Sequence, residues 1–313
     1  MRIGKIIGLV ILGGLMFSGC KGGKRELVEN APPITNQWKD DTGRDIKLTH
    51  AVQKVVSLAP SVTEMIFAVG GEKKLIARSQ ACDFPEATKS LPFITTFPAL
   101  DIEKLKALNP DLVITTNEIF SPDAIALLEK QKINVYQQSY SNMKDIYRCM
   151  KEAGKILDCE TQAVKVADSL ENIEKSVWNS TQNLAKYRTM ILVSDEPLKV
   201  IGGTGYLNEL IVKSGGLNIY KERNDPYPTT TVEEILSLQP EYIIIPTNDP
   251  EAYTKLIIKY PPLYNTVADL QKHIFITAPD LYYRPGPRTT QALLDLTHIL
   301  HSQLTPDKFI SGK

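Results

Sequence analysis

Short apolar runs alternate with amphipathic stretches along most of the chain. The runs are two to four residues long and rich in Val and Ile, which is typical of buried strands, while longer helical patterns cover residues 122–131 and 145–157. Strands that alternate with helices in this way indicate an α/β fold with largely parallel sheets. The predicted strands lie at residues 55–58, 75–77, 112–114, 135–136, 190–193, 242–245 and 274–276.

One pattern occurs twice, 130 residues apart. Residues 101–114 read DIEKLKALNPDLVI, and residues 231–244 read TVEEILSLQPEYII. In each copy a glutamate (Glu103 or Glu233) lies in the first turn of a short helix, where its charge suits the helix dipole, and a proline ends the helix before a strand. The repeat predicts two lobes of related design, although helix–proline–strand phrases also recur by chance in α/β proteins.

A long stretch without Gly or Pro connects the two copies. It extends from residue 155 to residue 192, and Asp158 is a candidate cap at its start. The pattern predicts a helix from about residue 160 to 186, near 40 Å long, that joins the lobes as a rigid strut. Its apolar positions share one helical face: Val166, Leu170, Ile173, Val177 and Leu184.

The amino terminus has the pattern of a secretion signal. Arg2 and Lys5 precede an apolar run over residues 6–17, which is shorter than the roughly 20 residues that a membrane span requires. The following Ser-Gly-Cys resembles a bacterial lipobox, which implies cleavage before Cys20 and acylation of that residue; an ordinary signal peptide is the alternative. Acyl chains on Cys20 would hold the protein at a membrane surface, with residues 21–50 as a tether.

Composition restricts the possible functions. The 36 Lys and Arg balance 36 Asp and Glu, which argues against nucleic-acid binding, and 313 residues allow about two domains. Beyond Cys20 the cysteines are Cys82, Cys149 and Cys159; they have no CxxC spacing, so neither a disulfide nor a metal site is assigned. Because the chain lacks a GxSxG elbow, a P-loop and a Ser-His-Asp ordering, we expect a binding protein and not an enzyme.

Three phrases resemble the substrate-binding proteins of iron-chelate and vitamin B12 ABC importers. They are KVVSLAPSVTE at 54–64, NPDLVI at 109–114 and RPGPR at 284–288, and they follow the family's order. The resemblance implies a class III periplasmic binding protein, with two Rossmann-like α/β lobes that are joined by a single long helix and hold the ligand between them. The expected organisation is a signal peptide at 1–19, a lipidated Cys and tether at 20–50, an amino-terminal lobe at 51–142, connecting helices at 143–187 and a carboxyl-terminal lobe at 188–306.

Within that family, the likeness is greatest to the cobalamin-binding branch. SQACDFP at 79–85 and DLYYRPGPR at 280–288 resemble phrases of that branch, whose cleft tryptophans match Phe97 and Tyr227 and whose cleft tyrosine matches Ala81. Aromatic faces and a few polar groups suit a large flat ligand rimmed by amides. The resemblance therefore implies a corrinoid ligand, and heme or a ferric siderophore is the alternative. The expected ligand-binding residues are Pro60, Ala81, Phe97, Gly203, Tyr227, Asp280, Tyr282, Tyr283 and Arg284.

The resemblance also assigns a role to the repeated glutamates. In the family, an acidic residue at the tip of each lobe pairs with arginines of the permease, and Glu103 and Glu233 match those positions. Exposed ion pairs contribute only about 0–1 kcal/mol each, so they would orient docking more than drive it. Two merely solvated glutamates are the alternative. We expect a monomer without cofactor or bound metal, anchored by its lipid in the periplasm or at the cell surface, that serves an ABC permease dimer and its ATPase subunits.

Overall fold

The computed structural model describes residues 36–310. The predicted signal peptide, the predicted lipidation site at Cys20 and the first part of the predicted tether lie outside these residues. Within 36–310, no helix is both long enough and apolar enough to cross a membrane. Cys82 and Cys149 are buried and Cys159 is half-buried, and all three are free.

The described chain begins with a hairpin, so the prediction of a tether is wrong for residues 36–48. Strands β1 (Asn36–Lys39) and β2 (Asp45–Leu48) pair in antiparallel fashion, and alternation in β2 buries Ile46 and Leu48 in the main core. The buried Asp40 carboxylate closes the turn by accepting a hydrogen bond from the N–H of Thr42 at 3.0 Å. This apolar and polar packing holds the segment on the amino-terminal lobe.

The amino-terminal lobe contains a five-stranded parallel sheet. Its strand order is β5-β4-β3-β6-β7, so the chain winds outward from β3 in both directions. The strands are β3 (Val55–Ser57), β4 (Leu75–Ser79), β5 (Phe93–Ile94), β6 (Leu112–Thr116) and β7 (Val135–Gln138). The helices are α1 (Pro60–Ala68), α2 (Ile102–Leu108) and α3 (Pro122–Lys130).

Two packed helices connect the lobes. Helix α4 (Met143–Ile156) lies against α5 (Glu160–Thr181), and Gly154 permits their close approach because a Cβ there would lie 2.2 Å from the Cβ of Ala163. The predicted strut is therefore present, but it ends five residues early, where the Thr181 hydroxyl donates to the carbonyl of Lys213 at 2.7 Å. Asp158 does not cap it: this residue lies in the left-handed region with φ 57°, and Cys159 occupies the cap position.

The carboxyl-terminal lobe repeats the parallel arrangement. Four strands run in the order β10-β8-β11-β12, and β9 pairs antiparallel with β8. The strands are β8 (Tyr187–Asp195), β9 (Leu198–Val200), β10 (Gly216–Asn218), β11 (Tyr242–Pro246) and β12 (Ile274–Thr277). The helices are α6 (Gly205–Lys213), α7 (Val232–Leu238), α8 (Ala252–Lys259), α9 (Val267–Gln271), α10 (Pro279–Tyr283), α11 (Thr289–Leu300) and α12 (Asp307–Ile310).

The sequence repeat is also a structural repeat. Helices α2 and α7 each have seven residues, and both end at a residue with φ 46°. After each proline, an acidic side chain accepts a backbone N–H at the start of the neighbouring strand: Asp111 from Lys54 and Glu241 from Arg188, both at 2.8 Å. The shared phrase thus builds the same helix-to-strand connection twice.

Candidate functional site

A cavity of about 260 Å³ lies between the two lobes. One wall follows the carboxyl ends of β6 and β7. Strand β6 adjoins β3, where the strand order of the first sheet reverses, and β7 lies on the far side of β6. Crevices at such ends are the usual ligand sites of open α/β sheets. The lining residues are Asn117, Glu118, Ser139, Tyr140, Ser141, Thr204, Gly205, Tyr206, Leu207, Pro226 and Tyr227.

The amino-terminal lobe supplies polar groups on the loops that leave its central strands. Asn117 and Glu118 follow β6, and Ser139 to Ser141 follow β7. Tyr140 is buried, and its hydroxyl donates to the side-chain oxygen of Gln138. Glu118 lines the cavity and is exposed to solvent there, and the partial desolvation of the cleft raises the pKa of its carboxyl.

The carboxyl-terminal lobe supplies the start of α6 and the loop that carries Tyr227. Backbone contacts hold this loop in place, since the N–H groups of Gly202 and Gly203 donate to the carbonyls of Pro226 at 3.0 Å and Arg223 at 2.7 Å. A Cβ at Gly203 would lie 1.9 Å from the carbonyl oxygen of Lys221, so only glycine fits there. Gly203 therefore supports the wall from behind and does not line the cavity.

The cavity has an unusual electrostatic character. It contains one carboxylate, Glu118, and none of the residues that line it is a lysine or arginine. Burial, followed by the Glu118 carboxylate, raises the pKa of Tyr227, and the pKa of Tyr206 is raised by burial and by its neighbours Tyr227 and Glu118. The tyrosines of this site are thus held in their neutral form.

A cluster of ion pairs joins the two lobes, and its members lie outside the residues that line the cavity. Arg288 binds the buried Glu64 of α1, with 2.7 Å between Nε and Oε2, and its guanidinium lies 4.1 Å from the centre of the Phe84 ring. Arg284 binds Asp83 of the opposite lobe at 2.5 Å and Asp280 of its own helix at 3.0 Å. The predicted cleft residues Asp280 and Arg284 are therefore paired with each other, and Arg284 also pairs with the facing lobe.

Of the predicted aromatic residues, the structure brings only Tyr227 to the cavity. Tyr283 is half-buried, and its hydroxyl donates to the carbonyl of Leu192 at 3.4 Å. The expectation that Tyr282 contacts the ligand is wrong: its side chain is fully buried in the core, because neighbouring residues of the short helix α10 point in different directions. Phe97 has 77% of its surface exposed and lies outside the residues that line the cavity.

The remaining predicted residues occupy other parts of the cleft edge and of the surface. Pro60 begins α1 directly after β3, and Ala81 is exposed on the loop after β4. Glu103 and Glu233 are exposed in the first turns of α2 and α7. They are far apart in the sequence but occupy equivalent positions of the repeat. Hydrogen bonds from its own backbone N–H and from Thr231 lower the pKa of Glu233.

The cavity residues that sequence reasoning missed include Glu118 and Tyr140. One signal was present, because Glu118 follows the strand of the first repeat copy and carboxyl ends of parallel strands are ligand sites. No group of three or more His, Cys, Asp or Glu side chains within residues 36–310 is placed to hold a metal ion.

Comparisons with known proteins agree with this architecture. The sequence model of the periplasmic binding protein family matches residues 55–281. A vitamin B12-binding protein of Vibrio vulnificus is 27% identical over 242 residues, which cover 77% of this chain and 88% of the relative. This family and these relatives are binding proteins and not enzymes.

Solved structures share the fold. The crystal structure of a periplasmic vitamin B12 binding protein of Vibrio cholerae superposes with a TM-score of 0.70 at 22% identity, over 84% of this chain and 99% of that one. A periplasmic heme-binding protein from Roseiflexus sp. RS-1 superposes with a TM-score of 0.72 at 22% identity, over 82% and 100% of the two chains. Since one of these proteins binds vitamin B12 and the other binds heme, the shared fold does not indicate which ligand this chain binds.

Proposed function

The chain belongs to the periplasmic binding protein family, and on that premise we propose that it captures a corrinoid of the cobalamin class between its lobes and delivers it to an ABC permease. The vitamin B12-binding relatives support the ligand class, and the predicted cobalamin-type phrases point in the same direction.

One observation carries the choice of ligand: the cavity combines tyrosine faces with hydroxyl and amide groups, and its lining has no lysine or arginine. A corrinoid is flat and carries neutral amides at its rim, which such groups bind by stacking and hydrogen bonding. An anionic ligand would instead require cations in the cavity.

The tyrosines and arginines also favour a corrinoid over heme or a ferric siderophore. Iron ligation by tyrosine requires the phenolate, and the raised pKa of Tyr227 opposes that form. The sequence offers Tyr282 and Tyr283 as further iron ligands, but Tyr282 lies in the core and Tyr283 donates its hydroxyl to the carbonyl of Leu192. Arg284 and Arg288 already bind carboxylates of the protein, so an anionic ligand would have to displace those carboxylates to reach the arginines.

The cavity volume implies a change on binding. About 260 Å³ is just below the usual range of about 300–1,000 Å³ for small-molecule sites, and a corrinoid lies at the upper end of that range or beyond it. The proposal therefore requires the rim of the cleft to open, with separation of the Arg284–Asp83 pair that joins the two lobes.

Isothermal titration of the purified protein with cyanocobalamin, cobinamide and heme tests the proposal. We expect saturable binding of the two corrinoids. Saturable binding of heme alone, with a shift of its Soret band, would overturn the corrinoid assignment in favour of heme.

The cellular setting is part of the proposal. The family implies a periplasmic location, and we propose that a lipid on Cys20 anchors the chain beside a permease dimer and its ATPase subunits. Metabolic labelling of cells with a tagged fatty acid tests the anchor: the label should appear on the wild-type protein and be absent from Cys20→Ser. Equal labelling of both would contradict it.

A further inference from the structure

Glu118 stands out among the cavity residues because its charge has no partner in the protein. It lies on the loop between β6 and α3, and no hydrogen bond or ion pair joins its carboxylate to another residue of the described chain. Of the adjacent tyrosines, Tyr140 donates its hydroxyl to Gln138 and Tyr206 donates its hydroxyl to the carbonyl of Tyr282. Tyr227 also lines the cavity, and within the described chain no hydrogen bond joins its hydroxyl to Glu118.

Glu118 is exposed to solvent at the cleft, so water solvates its carboxylate there. A ligand that fills the cavity removes that water from Glu118, and hydrogen-bond donors must then offset the free-energy cost of the removal. The two walls of the cleft provide no cation here, because the lining residues include no lysine or arginine. The donors that replace this water must therefore belong to the ligand.

The chemistry of that group follows from the charge. A carboxylate accepts hydrogen bonds from amide N–H or ammonium groups, and these charge-assisted bonds are stronger than neutral ones. It repels another carboxylate, and the repulsion grows as water is excluded from the cleft. Glu118 therefore both attracts one class of ligand and rejects another.

We propose that Glu118 is the residue that determines specificity in the cleft, by accepting hydrogen bonds from amide groups at the ligand rim and excluding rims that carry carboxylates. This inference rests on the proposed corrinoid function and deepens it. The ligand class is a corrinoid with amidated side chains, in preference to the same ring system with free acids.

The test compares two corrinoids, one whose rim carries amides (cobinamide) and one whose rim carries carboxylates (cobyrinic acid). Cobinamide and cobyrinic acid are titrated into the wild-type chain and into Glu118→Gln, which keeps the shape and removes the charge. We expect the wild type to bind cobinamide at least about tenfold more tightly, and the glutamine variant to reduce that ratio to near one. Glu118→Ala should reduce the ratio in the same way. The control Asp123→Asn, an exposed acid in the first turn of α3, should leave the ratio unchanged.

The outcomes separate this inference from the function on which it rests. If the wild type binds corrinoids and neither variant changes the ratio, the role of Glu118 is wrong and the corrinoid function stands. If the wild type binds heme and no corrinoid, the proposed function is wrong, and heme and its dimethyl ester replace the corrinoid pair. A wild-type preference for the free acid over the ester then overturns the role of Glu118, and a preference for the ester that is lost in Glu118→Gln supports it.

Discussion

Arg288 and Glu64 are 224 residues apart in the sequence and form a two-point ion pair across the cleft. The Glu64 side chain is only 1% exposed, and Arg284 also approaches it at 3.5 Å. This contact fastens the segment before α11 to α1 of the opposite lobe, and a buried carboxylate here compensates two guanidinium groups.

Glu64→Ala should lower the free energy of unfolding by about 3 kcal/mol, because removal of one member of a buried pair leaves the other without a partner. Urea denaturation measures the change. The matched variant Asp83→Ala removes an exposed partner of Arg284. Because the Asp83 side chain is 56% exposed, this change should lower the free energy of unfolding by at most about 1 kcal/mol. Equal losses of unfolding free energy in the two variants would show that the buried Glu64 pair contributes no more stability than the exposed Asp83 pair.

Tyr227→Ala should weaken corrinoid binding by about tenfold or more, because the variant loses an aromatic face in the cavity. Tyr227→Phe should retain most of the affinity if stacking is the main interaction. Isothermal titration measures both, with Tyr264→Ala as the control, since Tyr264 is exposed elsewhere on the carboxyl-terminal lobe. Unchanged affinity in Tyr227→Ala would remove this residue from the binding site.

Asp40→Ala should lower the free energy of unfolding by about 1–3 kcal/mol at neutral pH, because the carboxylate holds the β1–β2 turn and accepts the N–H of Gln137 on β7. Burial alone would raise the pKa of Asp40, but hydrogen bonds from Arg44, Thr42 and Gln137 outweigh it and hold the pKa below 3.8.

The sign of the pH dependence follows from that lowered value. The stabilising contribution of Asp40 is complete above the pKa of the unfolded chain, near 3.8, and is lost as pH falls through the lower pKa of the folded state. Unfolding measured over a pH series should therefore show the gap between wild type and Asp40→Ala closing in acid. The control Asp45→Ala, an exposed position of β2, should show little difference at any pH, and a gap that persists in acid would contradict the assignment.

Charge reversal of both Glu103 and Glu233 to lysine should reduce cellular corrinoid uptake by about tenfold or more and leave ligand affinity unchanged. Both residues are exposed at equivalent positions of the repeat and away from the cavity, so repulsion of permease arginines is the expected cause. Uptake of labelled cobalamin measures the first effect and isothermal titration the second. The control reverses Glu86 and Glu251, which are similarly exposed on the two lobes; normal uptake in the Glu103/Glu233 variant would refute the docking assignment.

Most of the secondary structure followed from local pattern. Each predicted strand is present, and the repeated phrase became two equivalent connections because capping, helix length and the proline stop act within about ten residues. The β1–β2 hairpin escaped prediction, since four-residue strands carry little periodic signal and its stability comes from partners such as Gln137, almost 100 residues away.

The binding site was predicted less completely, as Tyr282 and Tyr283 illustrate. They are adjacent in the same helix, yet one lies in the core and the other is half-buried, and the sequence offered no means to tell which. Glu118 is the opposite case, a cavity residue that was not predicted, since an isolated glutamate after a strand is ordinarily a solvated loop residue. It became a cavity residue only because the Tyr227 loop of the second lobe faces it.

The sequence by itself determined the α/β class, the two related lobes and the helix between them, because periodicity and capping are properties of neighbouring residues. Only the tertiary structure decided which side chains meet in the cleft. The Arg288–Glu64 pair and the cavity that Glu118 and Tyr227 line together involve residues that are far apart in the sequence. Such juxtapositions arise from the packing of whole elements, which local pattern does not encode.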